Sequence, residues 1–175
     1  MDGIMKENNM VKVALIGMGK MGFLHASLLS VLPSVRLAAL CDKSGLIRRV
    51  CRRLFRDALI TDNVEKFAGL GLDAVYVTTP IPSHFSVVKK VCSLNVAHNL
   101  FIEKTLAANY NDAKEMCMLA QRLNGVNMVG YMKRFTVTFM KSKELLNECI
   151  VGEVSSFEAY AYSSDFVDAK AGSIT

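Results

Sequence analysis

VKVALIGMGKMG, Val11 to Gly22, decides the fold of this chain: an apolar run, Val11 to Ile16, leads straight into Gly17, Gly19 and Gly22 at the spacing G-x-G-x-x-G. The stretch Met21 to Leu32 that follows reads as a helix. A strand, this turn and a helix, in that order, open a dinucleotide-binding unit. The first glycine permits the tight turn, the second lets backbone amides approach a pyrophosphate with no Cβ in the way, and the third lets the helix pack close on the strand. Lys20, Met21 and Gly22 then offer bare N–H groups and partial positive charge to phosphates. Asp42 stands about 20 residues beyond Gly22, at the end of a second strand-like run, Val35 to Cys41, where an acid takes the adenosine ribose hydroxyls. A carboxylate there repels a 2′-phosphate, which predicts NAD. Lys43 softens that repulsion and Arg48 is a second cation nearby, so NADP stays open.

The chain has 175 residues, 51% of them apolar, enough for one sizeable core and little more. Residues 1–10 read as a polar tail with Asp2, Lys6 and Glu7 and no apolar stretch of the kind that marks a signal peptide. No run approaches the roughly 18 apolar residues of a membrane span. The five cysteines, Cys41, Cys51, Cys92, Cys117 and Cys149, are odd in number and widely spaced, and they read as reduced core thiols of a cytoplasmic protein. No metal-ligand spacing appears. The net charge of +5 comes mainly from Arg48, Arg49, Arg52, Arg53 and Arg56. On a helix these share one face, opposite Ile47, Val50, Cys51, Leu54 and Phe55, which predicts a solvated face on a helix lying on a sheet. A membrane or nucleic-acid partner is not expected.

The rest alternates strand and helix. Ala58 to Thr61 reads as a strand, Asn63 to Leu70 as a helix, and Ala74 to Thr79 as a strand buried in a parallel sheet. Pro80 and Pro82 stop that strand, and Ser83 is placed to cap the helix carrying Phe85, Val88, Val91 and Cys92. Val96 to Ile102 is a fifth strand. Asn109 caps a helix over Asn111 to Asn124 that Gly125 ends, and Val126 to Val129 is a sixth strand. The fold class is therefore α/β, a doubly wound parallel sheet with ligands outside its strand C-termini. After Gly130 the pattern changes. Val137 to Cys149 reads as a helix, and Val154 to Tyr162 as a strand of an antiparallel sheet whose partners lie elsewhere.

The series G-M-G-K-M-G-x-x-H-A (Gly17 to Ala26), Asp42, T-T-P-x-x-x-H (Thr78 to His84), E-K-T (Glu103 to Thr105) and G-Y-M-K-R-F (Gly130 to Phe135) resembles the glucose-fructose oxidoreductase, inositol dehydrogenase and rhizopine-catabolism (Gfo/Idh/MocA) family. The resemblance runs from Val11 to about Tyr162. It implies a Rossmann-type dinucleotide-binding domain over 11–133 and, over 134–175, the start of a truncated α+β domain for substrate and oligomerisation. It also implies an NAD(P)-dependent oxidoreductase that moves hydride between a nicotinamide and a sugar, polyol or cyclitol hydroxyl, working as a homo-oligomer. A non-catalytic regulatory protein is the alternative, since the family includes a fungal transcriptional repressor.

The same resemblance supplies site residues. Glu103 and Lys104 match the family's Glu-Lys-Pro signature, which implies that both contact the cofactor. Hydride removal from a C–OH carbon requires a group to accept or relay the hydroxyl proton, which Lys104 can do, and burial beside a cationic nicotinamide would oppose its charge. Thr78, Thr79 and Pro80 are implied beside the cofactor ribose and nicotinamide, His84 in the cofactor cleft or at a helix cap, and Lys133 and Arg134 towards substrate. His25 reads as a packed or hydrogen-bonded structural histidine. Thr105 replaces the family's proline, and a cis peptide before threonine is costly, so Lys104 is expected to be aimed differently. His98 sits one residue early for the family's histidine before the fifth strand.

Overall fold

The computed structural model describes residues 10–150 and 152–160. Tertiary contacts divide the chain into two units, up to Gly130 and from Tyr131. The first unit is built from β1 (Val11–Ile16), α1 (Lys20–Ser30), β2 (Val35–Cys41), α2 (Gly45–Leu54), β3 (Leu59–Thr61), β4 (Ala74–Val77), α3 (His84–Ser93), β5 (Asn99–Ile102), α4 (Tyr110–Arg122) and β6 (Asn127–Val129). The strands form one six-stranded parallel sheet in the order β3-β2-β1-β4-β5-β6. The order reverses between β1 and β4, so the crevice above those two strand ends is where this fold receives ligands.

Side chains alternate between sheet faces, and both faces are covered, which is why the strands read as nearly continuous apolar runs. Val13 and Leu15 of β1 join Leu37 and Leu40 of β2 under Ala26 and Leu29 of α1 and Cys51 of α2. Ala14 and Ile16 join Val75, Val77, Leu100 and Ile102 under Val88 and Val91 of α3 and Met116 of α4. The β1–β2 register slips once: Val13 pairs with Leu37 and Ala14 with Ala39, leaving Ala38 without an opposite number. That slip puts Leu37 and Leu40, three apart, on the same face.

Several expectations change on contact with the structure. The helix expected over 63–70 is a single 3₁₀ turn, Val64–Phe67, capped by Asn63, whose Oδ1 accepts the Glu65 amide at 3.0 Å. Gly69 and Gly71, both at positive φ, bend the chain away before a second turn forms. Ser83 does not cap α3 through its side chain; its hydroxyl donates to the Pro80 carbonyl at 2.7 Å, within a 3₁₀ turn, Ile81–Ser83. Asn109 caps α4 as expected, accepting the Asp112 amide at 2.9 Å. Gly125 does not turn the chain out of α4, because Asn124 takes the left-handed position at φ 51. The glycine serves a close approach instead, since a Cβ there would collide with the His98 carbonyl.

Helix α2 buries only Cys51, with Ile47 and Phe55 partly covered, while Val50 and Leu54 are exposed; its apolar face is narrower than the sequence suggests. All five thiols are unpaired. Cys41 and Cys51 are buried and Cys92 is half-buried, but Cys117 and Cys149 are exposed on α4 and after α5, which corrects the reading of all five as core residues. Among the described residues no helix is long and apolar enough to cross a membrane, and no group of three or more metal-ligating side chains forms.

The second unit contains a 3₁₀ turn, Met132–Phe135, and α5 (Val137–Asn147), neither of which buries a residue. The strand expected over 154–162 is not formed by residues 154–160, and 161–162 lie outside the described residues. A strand exists only as one side of a ladder, and these described residues have none to join.

Candidate functional site

The end of β1 is shaped by contacts that only glycine allows. Gly17 lies at φ +93, and a Cβ on it would stand 2.7 Å from the backbone nitrogen and Cγ2 of Thr79, while a Cβ on Gly22 would meet the Gly17 carbonyl. Thr78 closes the same corner by donating its hydroxyl to the Gly17 carbonyl at 2.6 Å. Gly19 differs. A Cβ there would have no neighbour within 4 Å, and its φ of −74° suits any residue. Nothing inside the protein calls for a glycine at 19, whereas a phosphate resting on the turn would. The start of α1 has no side-chain cap and no acid in its first turn, so the amide end at Lys20, Met21 and Gly22 is left electropositive and open. These features fit a dinucleotide.

Asp42, at the end of β2, reaches back to this turn. Its Oδ2 accepts the Met18 amide at 2.7 Å and its Oδ1 accepts the Ser44 amide at 2.7 Å. Each oxygen retains a lone pair for a ribose hydroxyl. Arg48 does not remain available for a 2′-phosphate. Its guanidinium donates to the Asp42 and Lys43 carbonyls at 2.8 Å each and pairs with Asp62 at 3.3 Å, so it fixes the loop, whereas Lys43 is exposed. Burial beside Asp42 and Asp62 pushes the neighbouring Cys41 thiol up to about 11.

Across the crevice, after β4, Thr78 is buried, Thr79 is half-buried and Pro80 is exposed. The Thr79 hydroxyl is a buried polar atom with no partner inside the protein. His84 neither opens onto the crevice nor caps α3. It is fully buried, with Nε2 2.7 Å from the Thr79 carbonyl and Nδ1 3.0 and 3.2 Å from the Thr105 and Leu106 carbonyls.

Glu103 and Lys104 follow β5. Glu103 is 8% exposed and its carboxylate is held inside the protein: Oε1 accepts from His25 Nε2 at 2.7 Å, and Oε2 accepts the Lys104 amide at 3.0 Å. Gly130 leaves room for it, since a Cβ at 130 would lie 3.3 Å from Oε1. Lys104 itself is exposed, so the burial expected to oppose its charge is absent here. The Lys104–Thr105 peptide is cis, against expectation, with the Lys104 amide held by Glu103 and the Thr105 carbonyl by His84. Lys133 and Arg134 belong to the second unit, where both are exposed on the turn 132–135.

His25 is both packed and hydrogen-bonded, as its sequence reading has it, and its partner is Glu103. Besides its bond to Glu103, its ring meets Phe101 edge-on at 5.0 Å and lies 5.7 Å from Tyr76, which stacks on Phe101 at 4.6 Å. The available signal was positional: His25 is one turn beyond Gly22 on the helix that starts at the crevice, and an acid ends β5 two strands away.

Known proteins share this fold. The chain is 24% identical to scyllo-inositol 2-dehydrogenase (NAD(+)) of Bacillus subtilis, over 86% of this chain and 44% of that protein. It is 30% identical to a galactose/lactose metabolism regulatory protein of Kluyveromyces lactis, over 55% of this chain and 22% of that one. The crystal structure of myo-inositol 2-dehydrogenase from Lactobacillus plantarum superposes with a TM-score of 0.72 at 22% identity, covering 83% of this chain and 43% of that chain. The chain thus spans less than half the length of these relatives. Residues 11–131, from the first strand through the crevice, match the model described as oxidoreductase family, NAD-binding Rossmann fold, and the chain belongs to that family, Gfo/Idh/MocA.

Proposed function

We propose that this protein is an NAD-dependent dehydrogenase acting on a sugar, polyol or cyclitol hydroxyl, with residues 11–133 holding the dinucleotide and the stretch from 134 belonging to a substrate domain. The observation that carries this reading is the pairing of an open, uncapped glycine turn with a lysine at the end of β5, on the same edge of the sheet. Gly17, Gly19, Gly22 and the amides of Lys20 and Met21 would hold the pyrophosphate, and Asp42 the adenosine ribose. Thr78, Thr79 and Pro80 line the other wall, where the unpartnered Thr79 hydroxyl has a bond to offer. When bound, the nicotinamide supplies the hydride acceptor or donor. Lys104 then accepts or relays the hydroxyl proton and stabilises developing alkoxide charge. The inward-facing Glu103 supports a role in holding the Lys104 loop more than contact with cofactor.

Cytoplasmic location and assembly into a homo-oligomer through the second unit belong to the same proposal, as does a place for Lys133 and Arg134 near substrate. The regulatory alternative is supported by the Kluyveromyces similarity, and Lys104 weighs against it.

Two measurements test the reading. Titrating the 175-residue chain with NADH and NADPH should show saturable NADH binding and a weaker NADPH response, and Asp42→Ala should shrink the difference; tighter NADPH binding would reject the assignment of Asp42. In a preparation that does turn over, Lys104→Ala should lower kcat by about 100-fold or more while NADH binding persists, and an unchanged kcat would remove the lysine from the chemistry.

A further inference from the structure

Lys104 sits in a loop gripped from both sides by histidines. On one side His25, from α1, bonds to Glu103 at 2.7 Å, and the other oxygen of that carboxylate accepts the Lys104 amide at 3.0 Å. On the other side His84, at the start of α3, meets the Thr105 and Leu106 carbonyls at 3.0 and 3.2 Å, and with its second nitrogen the Thr79 carbonyl at 2.7 Å. Residues 103, 105 and 106 are therefore held while the lysine side chain is left exposed between them. Every partner of the two rings is an oxygen acceptor, so His25 is placed to donate through Nε2, and His84 joins both sides only with an N–H on each ring nitrogen.

The geometry points to His25 and His84 as the positioning residues of the Lys104 loop. His25 ties that loop to the helix whose N-terminus bears the glycine turn, and His84 ties it to the Thr79 backbone on the opposite wall. The three stretches that line the crevice are thereby fixed to one another through two imidazoles. Packing alone does not account for this. Phenylalanine at 25 would keep the edge-on contact with Phe101, and what it would lose is the donor to Glu103. The functional weight of the clasp rests on the role given to Lys104 above, but its existence can be measured independently.

The test uses the whole 175-residue chain, labelled with ¹⁵N, as the parent and as His25→Phe and His25→Gln. Glutamine restores a side-chain N–H without the ring. In His25→Phe the sheet amides should keep the parent's pattern while the Lys104 amide exchanges at least about tenfold faster, the order expected when a hydrogen bond to a charged group is undone. His25→Gln should recover most of that protection. In the parent, the ring ¹⁵N signals should show a slowly exchanging proton on Nε2 of His25 and one on each nitrogen of His84, since both of those face carbonyl oxygens. The inference is overturned if His25→Phe leaves the Lys104 amide unchanged, if Phe and Gln lose protection equally, or if those ring protons exchange freely. Should His25→Phe not fold, the ring signals of the parent decide. NADH titration of the parent separates the two readings. Binding with an unresponsive Lys104 amide removes the clasp alone, and a responsive amide without NADH binding removes the cofactor assignment alone.

Discussion

At the residue scale the first two glycines of the turn come apart. Gly17 is required by the fold, because φ +93 and a Cβ 2.7 Å from Thr79 both forbid a side chain, whereas Gly19 has open space above it and an ordinary φ. Gly17→Ala should therefore cost about 2 kcal/mol or more of stability, while Gly19→Ala should leave thermal unfolding almost unchanged, within about 0.5 kcal/mol, and weaken NADH binding at least about tenfold. Paired melting curves and NADH titrations check this, and a destabilised Gly19→Ala would mean the turn needs that glycine for itself. Much of this was readable in the chain, since a glycine spacing reports backbone demands that no other residue meets. Asp42 was placed at the end of β2 by its spacing from the same turn, and its carboxylate does meet the Met18 amide at 2.7 Å. What one-dimensional spacing cannot carry is who faces whom. His25 and Glu103 lie 78 positions apart and meet only because β4 and β5 order themselves beside β1, and His84 was misread because its three carbonyl partners come from two separate loops.

Elements whose stability is written locally were the ones the sequence defined well. β1 and β2 begin and end where their apolar runs do, and α4 starts after Asn109, whose side chain accepts the Asp112 amide at 2.9 Å. Asn109→Ala should cost about 1 kcal/mol in denaturant unfolding, and Asn109→Asp should keep most of the capping energy. Where the outcome depended on neighbours, reading failed. Residues 63–70 carry enough apolar side chains for a helix, yet Gly69 and Gly71 sit at positive φ and the chain keeps one 3₁₀ turn. Alternation over 154–160 satisfies the period of a strand, but a strand is a relation between chains, and its partner is not among the described residues.

Across the whole molecule the two units differ in how much they bury. The first has two core layers around its sheet, while α5 and the turn before it bury nothing. Limited proteolysis should accordingly cut first beyond Arg134 and leave a fragment that still binds NADH, and early cleavage within 11–129 would mean that the stable unit has been drawn wrongly. The register slip in the middle of the sheet has a consequence for how the protein tolerates changes in length. Because Ala38 is the residue without a counterpart on β1, a one-residue deletion there would straighten the ladder and leave Asp42 beside Met18. The same deletion between Ala39 and Asp42 would turn every later side chain to the opposite face and carry the carboxylate away from the glycine turn. Ala38 is in that sense a spare link, which lets the early part of β2 lose a residue without moving Asp42 at its far end.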